Sequence, residues 1–150
     1  MNLPLSGEEL IALIPQKQPF VLIDHLLEVG EQHCITSFVA GYEHVLVSEG
    51  KLTTAALIEN IAQTCAAKAG YDSVLAGKSI PIGFIGDVRH FECMQLPEAT
   101  AKILTTVTLE NKVFDVSILS GKIEVNNEIV ARCTMKIFVD EKQSESITNQ

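Results

Sequence analysis

Basic residues are scarce in this chain: Lys and Arg number 11 against 19 Asp and Glu, a formal charge of −8. That balance argues against a nucleic-acid partner, whose phosphates need a basic face. An acidic protein partner would need a local Lys/Arg patch on an acidic body. No apolar run approaches the length of a membrane span, and the first nine residues carry Glu8 and Glu9 where a signal peptide needs a basic region. The expectation is a cytoplasmic protein that does not enter a membrane. Cys34, Cys65, Cys93 and Cys133 include no Cys-x-x-Cys pair and lie in apolar segments, so they read as small buried hydrophobes rather than a disulfide set or a metal site. No histidine has a partner at metal-ligand spacing, and no metal is expected. Internal repeats and low-complexity segments are also missing. What remains is 150 residues, 47% of them hydrophobic, enough for one domain with a sizeable core.

The stretch from Leu52 to Gly70 organises the rest. Ala, Leu and Ile recur around its whole circumference, and a helix apolar on every side belongs in a core or an interface. Glu59 is the exception, since an uncompensated buried charge is costly and must be paired, neutralised or used. Gln63 lies one turn on, on the same face.

Before this helix, Ser6 and Glu9 have capping-box spacing and Leu5 and Leu10 could close a hydrophobic staple, so a short helix is expected there, ended by Pro15. Phe20 to Val29 has the aliphatic density of a buried strand, and Gly30-Glu31-Gln32 links it as a hairpin to a second strand, Cys34 to Val39. Residues 40–53 read as a loop, with Thr53 or Thr54 capping the long helix, which ends near Gly70 or near Gly77. Strands are expected at 80–93, 101–109, 113–121 and 129–139, with turns at Pro97-Glu98, Asn111-Lys112 and Val125 to Glu128. The fold class is therefore α+β: a curved antiparallel sheet wrapped around one long central helix, one domain over residues 1–140, and a polar, disordered tail over 141–150. The open edge of such a sheet invites pairing with a second copy.

Three blocks of sequence then resemble the hotdog-fold 3-hydroxyacyl-ACP dehydratases. Ile14-Pro15-Gln16-Lys17-Gln18-Pro19-Phe20-Val21-Leu22-Ile23-Asp24 is similar to the family's opening Pro-His-Arg-x-Pro-Phe-Leu-Leu-x-Asp. Leu57-Ile58-Glu59-Asn60-Ile61-Ala62-Gln63 is similar to its helical Leu-Ile-x-Glu-x-x-Ala-Gln, and Gly86 to Phe91 resembles its later strand with Arg-Phe. The order and separations match over roughly residues 10–140. The family's His-Phe-Pro-Gly-x-Pro loop is replaced by His44-Val45-Leu46-Val47-Ser48-Glu49-Gly50, without proline, and the distance from His44 to Glu59 is one residue longer. In this the chain resembles a divergent branch associated with aryl polyene-type pigment pathways.

The resemblance implies dehydration of a 3-hydroxyacyl thioester of acyl carrier protein to the trans-2-enoyl product. Such chemistry needs a base for the C2 proton, an acid for the departing C3 hydroxyl and donors for an enolate-like oxygen. The family's pattern makes Glu59 the acid, its proton kept by an apolar pocket, and His44 the base; amides at the helix start, near Thr54, would polarise the thioester. Gln63 is either the orienting group for Glu59 or an ordinary core amide satisfied by backbone. Val45 and Leu46, with Val47, form an apolar loop tip that either packs on a partner subunit or walls an acyl tunnel. His25, His33 and His90 read as structural or surface groups. Lys51, Arg89, Lys102 and Arg132 are candidates for carrier-protein contacts or simply solvated charges. No dissociable cofactor is implied, and the expected partners are the carrier protein with its phosphopantetheine-linked substrate and a second hotdog chain, as homodimer or heterodimer. Two alternatives stay open: an acyl thioesterase of the same fold, and a non-catalytic hotdog partner subunit.

Overall fold

The computed structural model describes residues 1–140, and the expected polar tail at 141–150 lies outside the described residues. The chain runs β1 (Leu5–Ser6), α1 (Gly7–Ile11), β2 (His25–Val29), β3 (His33–Val39), β4 (Val47–Ser48), β5 (Lys51–Leu52), α2 (Thr54–Leu75), β6 (Ile82–Cys93), β7 (Lys102–Val113), β8 (Val116–Val125) and β9 (Glu128–Asp140). Seven strands form one sheet in the order β1-β2-β3-β7-β8-β9-β6, with every neighbouring pair antiparallel. The small β4-β5 hairpin stands apart, in the loop before α2. This is the hotdog architecture, with α2 as the filling.

The long helix owes its place to small and aliphatic residues. Leu57 and Ile61 are fully buried against Ile103, Val107, Leu119 and Ile123 of the sheet, each burial being worth ~1.5–3 kcal/mol. Two glycines allow the close approach. A Cβ on Gly121 would fall 2.5 Å from the Ile61 side chain, and one on Gly70 would fall 2.0 Å from the Leu13 carbonyl oxygen. Around that second contact Leu10, Leu13, Ile14, Leu26, Cys34 and Ala67 make a separate core cluster under α1. Thr53 caps α2, its hydroxyl accepting from the Ala56 N–H at 3.2 Å, and the helix runs past Gly70 to Leu75.

Three local expectations change. The strand expected from Phe20, β2, begins only at His25, because residues 20–22 bond to side chains of α2 instead of extending the sheet ladder. No turn occurs at Asn111-Lys112: an irregularity between Leu109 and Asn111 lets β7 run on to Val113, and the chain reverses at Phe114, whose φ is 53°. Ser6 occupies the N-cap of α1 without a side-chain cap bond, while Leu5 and Leu10 are both buried as the staple requires.

Burial of α2 is one-sided. Glu59, Cys65, Ala66 and Ala69 are half-buried, and Thr54 and Ala55 are exposed. On the same side lies β6, which among the described residues pairs only with β9. Phe84 is 53% and Ile85 38% exposed on that edge. A long apolar strand edge with unpaired backbone groups is a template for a further strand. No helix among the described residues is long and apolar enough to cross a membrane.

Candidate active site

Residues 20–22 form a segment outside the sheet whose backbone is bonded by side chains of α2 and of the 40–53 loop. Gln63 is fully buried and grips it twice: its Oε1 accepts from the Leu22 N–H at 2.7 Å and its Nε2 donates to the Phe20 carbonyl at 2.9 Å. Asn60 Nδ2 donates to the Leu22 carbonyl at 2.9 Å, and Asn60 Oδ1 accepts from the Thr105 hydroxyl at 2.6 Å, tying the same segment to β7. The Thr64 hydroxyl donates to the Asn60 backbone carbonyl at 2.8 Å and meets the Thr36 hydroxyl at 2.7 Å. Each of these buried polar groups thereby has a partner, which is what makes them affordable in a core.

Gln63 also reaches Glu59. Its Nε2 lies 3.3 Å from Glu59 Oε2, so one amide fixes both the segment and the carboxylate one helical turn away. The two readings of Gln63, orienting group and backbone-satisfied core amide, describe the same side chain. Glu59 itself is half-buried at the wall of a cavity of about 300 Å³ between α2 and β6, lined by Ala62, Cys65, Ala66, Gly83, Phe84 and Ile137 among others. The carboxylate is thus neither enclosed in the core nor on the open surface; it faces an apolar cavity.

Gln16 shares this cavity, and its Oε1 is buried without a hydrogen-bond partner among the described residues. It is not among the site residues expected from the sequence. The available signal was its place in the opening block, where the similar family carries histidine.

His44 sits elsewhere. Its Nδ1 accepts from the Leu46 N–H at 3.0 Å, which places the proton of the neutral ring on Nε2, 3.3 Å from the Val21 carbonyl. The ring meets Phe38 edge-on at 5.7 Å. His44 thus bonds the Val21 carbonyl, between the Phe20 and Leu22 carbonyls that Gln63 and Asn60 hold. The structure brings Glu59 and Gln63 together, while His44 is bonded to the Val21 carbonyl and the Leu46 amide. Of the other expected binding residues, Leu46 is half-buried against the main core, Val45 is 53% exposed at the loop tip, and Thr54 is exposed in the first turn of α2.

Of the remaining histidines, His33 pairs with Glu28 at 2.7 Å, His25 with Ser37 at 3.5 Å, and His90 is exposed. Among the candidate cations, Lys51 pairs with Glu98, Arg89 with Asp87 and Arg132 with Glu92, while Lys102 is exposed. Burial pushes the Cys65 thiol up to about 11, so the one sulfur lining the cavity is neutral at ordinary pH and a poor nucleophile.

A hotdog sheet whose central helix offers a carboxylate to an apolar cavity defines a class, the hotdog enzymes. The particular family follows from comparison. The family model described as ApeP-like, ApeP dehydratase, matches residues 8–148, and the chain belongs to this family of dehydratases. No curated protein matches the chain. Among solved structures, the dehydratase heterocomplex ApeI:P from Xenorhabdus doucetiae is similar with a TM-score of 0.83 at 16% identity, covering 100% of both chains. An HP0420 homologue from Helicobacter felis follows at TM-score 0.66 and 13% identity, covering 89% of this chain and 88% of that one. A hypothetical thioesterase with coenzyme A from Streptococcus pneumoniae has a TM-score of 0.62 at 9% identity, covering 77% of this chain and 84% of that one. These identities speak for the hotdog fold alone.

Proposed function

We propose that the chain dehydrates 3-hydroxyacyl thioesters of acyl carrier protein to trans-2-enoyl thioesters, in a cytoplasmic pathway of the fatty-acid or polyene type. The observation that carries this reading is the Glu59 carboxyl, oriented by Gln63 at the wall of an apolar cavity. A base removes the proton from C2, the C3–O bond breaks, and Glu59 delivers a proton to the departing hydroxyl, which leaves as water as the C2–C3 double bond forms. His44 is this chain's candidate base, and it takes that role once Nδ1 gives up the Leu46 amide. Glu59 lines the cavity beside β6, whereas His44 is held by the Val21 carbonyl and the Leu46 amide outside that lining, so our reading draws the two from two chains. The β6 edge beside the cavity, which has no second strand partner among the described residues, is where a second hotdog chain would dock, either another copy or a different chain, and the heterocomplex of the similar structure supports the second form.

The test is the hydration of an enoyl thioester by purified protein, the reverse of the same reaction. Glu59→Gln is expected to abolish hydration while leaving the oligomer intact. His44→Ala, if folded, abolishes it when the base belongs to this chain and spares it when the second chain supplies the base. Release of free thiol instead of the hydroxyacyl product would overturn the dehydratase reading in favour of hydrolysis. Activity that appears only after adding a different hotdog chain would assign the heterodimer and make this chain its partner subunit.

A further inference from the structure

Among the described residues one buried side-chain polar atom has no hydrogen-bond partner, and it is Gln16 Oε1. Buried acceptors are almost always satisfied, because an unpaired one gives up its hydration with no bond to replace it. The chain holds this residue in place from both sides. Leu13 and Ile14, just before it, are buried in the core cluster under α1. Just after it, the Phe20 N–H donates to the Lys17 carbonyl at 2.9 Å and closes a turn, whose far end Gln63 Nε2 holds by donating to the Phe20 carbonyl at 2.9 Å. The same Nε2 meets Glu59 at 3.3 Å, so one amide of α2 fixes both the carboxyl and the turn that follows Gln16. Both residues line the cavity of about 300 Å³ beside β6. Apart from the neutral Cys65 thiol, Gln16 and Glu59 are the only polar side chains in its lining among the described residues. A ligand bonded to Glu59 there meets one further polar group, and that group lacks a donor. The terminal torsion of a glutamine is soft, so Oε1 can turn to a donor in the cavity without displacing the backbone.

We propose that Gln16 accepts the O–H of the substrate's 3-hydroxyl while Glu59 bonds the same oxygen, which makes Gln16 the side chain that selects a hydroxylated thioester and aims its leaving group. The inference rests on the dehydratase reading given above and adds a specificity-determining contact to it. A hydroxyl carries one hydrogen and two lone pairs. Giving the hydrogen to Gln16 leaves a lone pair turned to the Glu59 proton. As the base takes the C2 proton and the C2–H electrons form the double bond, the C3–O bond breaks and its electron pair goes to the oxygen. That oxygen leaves with two hydrogens, its own and the one from Glu59. The water so formed donates one to Gln16 Oε1 and the other to the Glu59 carboxylate. In the reverse direction the same two groups hold the attacking water. A saturated chain brings no such donor and leaves Oε1 unpaired.

The experiment is direct binding of 3-hydroxyoctanoyl-pantetheine and octanoyl-pantetheine to the oligomer as purified, together with hydration of the enoyl thioester. The wild type is expected to bind the hydroxylated ligand about tenfold more tightly, the worth of a hydrogen bond to an otherwise orphaned acceptor. Gln16→Met keeps the bulk of the side chain and removes its amide; it should bring the two affinities to within about threefold with octanoyl binding unchanged. In hydration it should lower kcat about tenfold at an unchanged KM for the enoyl thioester, a split that a loosened fold does not produce. Gln16→His, whose ring offers an acceptor nitrogen, should restore both the preference and kcat. Gln16→Leu carries the same test if the methionine variant fails to fold. A preference for the hydroxylated ligand that survives both apolar variants overturns the role of Gln16 and leaves the dehydratase reading standing, as does equal binding of the two ligands by the wild type. A wild type that binds neither ligand and hydrates no enoyl thioester, alone or with a second hotdog chain, overturns the dehydratase reading and this contact with it.

Discussion

Gln63→Leu is the sharpest single test of how the site is held. The substitution keeps the volume of the side chain and removes three contacts: acceptance from the Leu22 N–H at 2.7 Å, donation to the Phe20 carbonyl at 2.9 Å, and the 3.3 Å contact with Glu59. Leu22 is fully buried, so its N–H finds no water when the amide leaves. An orphaned buried donor costs ~1–3 kcal/mol, and the lost bond to Phe20 adds ~1 kcal/mol, giving about 2–4 kcal/mol in all. For a chain of this size that corresponds to a fall in Tm on the order of 10 °C. Urea unfolding at fixed protein concentration reads it as a lower midpoint with an unchanged slope. Gln63→Glu discriminates further, because its carboxylate still accepts from Leu22 but places a second acid beside Glu59 and cannot donate to Phe20 when ionised. It should lose stability as pH rises through the carboxylate range, which the leucine variant does not. A loss below ~1 kcal/mol for Gln63→Leu would refute the clamp and return residues 20–22 to packing alone.

Two further outcomes follow from the core. Gly70→Ala would gain ~1 kcal/mol in an unobstructed helix, but a Cβ there lies 2.0 Å from the Leu13 carbonyl oxygen, which as backbone cannot swing aside; the variant should instead lose ~1–3 kcal/mol, and a raised Tm would refute the close contact. Burial pushes the Cys34 thiol from 9.0 up to about 12, so the unfolded chain gives up this proton first and the thiol's contribution to stability is full below pH 9 and declines as pH rises toward 12; in unfolding experiments the wild type should lose stability more steeply than Cys34→Ala across that window, and parallel curves would contradict the buried thiol.

Much of this molecule is legible in its residues. Glu59 and Gln63 sit four apart on a helix whatever it packs against, so their shared face needed no fold to be seen. The aliphatic runs named the strands, and the Asn126-Asn127 turn left little choice about where β8 meets β9. Turn signals were weaker guides where several answers were compatible with one local pattern. Asn111-Lys112 looks like a turn, yet the ladder to β8 absorbs it with a register irregularity and places the reversal at Phe114. Phe20 to Ile23 looks like a strand, yet side chains of α2 compete for its backbone groups and win.

What the chain determined alone is the inventory: one long helix of small and aliphatic residues, strands enough to wrap it, and an acid out of place among them. Tertiary structure decided which side of the helix stays half-open, that Asn60 and Gln63 are spent on holding residues 20–22, and that His44 bonds the same segment at Val21. It also decided that Gln16 joins Glu59 in one cavity. The reason is physical. Periodicity records which residues face the same way, but a cavity is the space left between elements distant in sequence, and no local pattern encodes space.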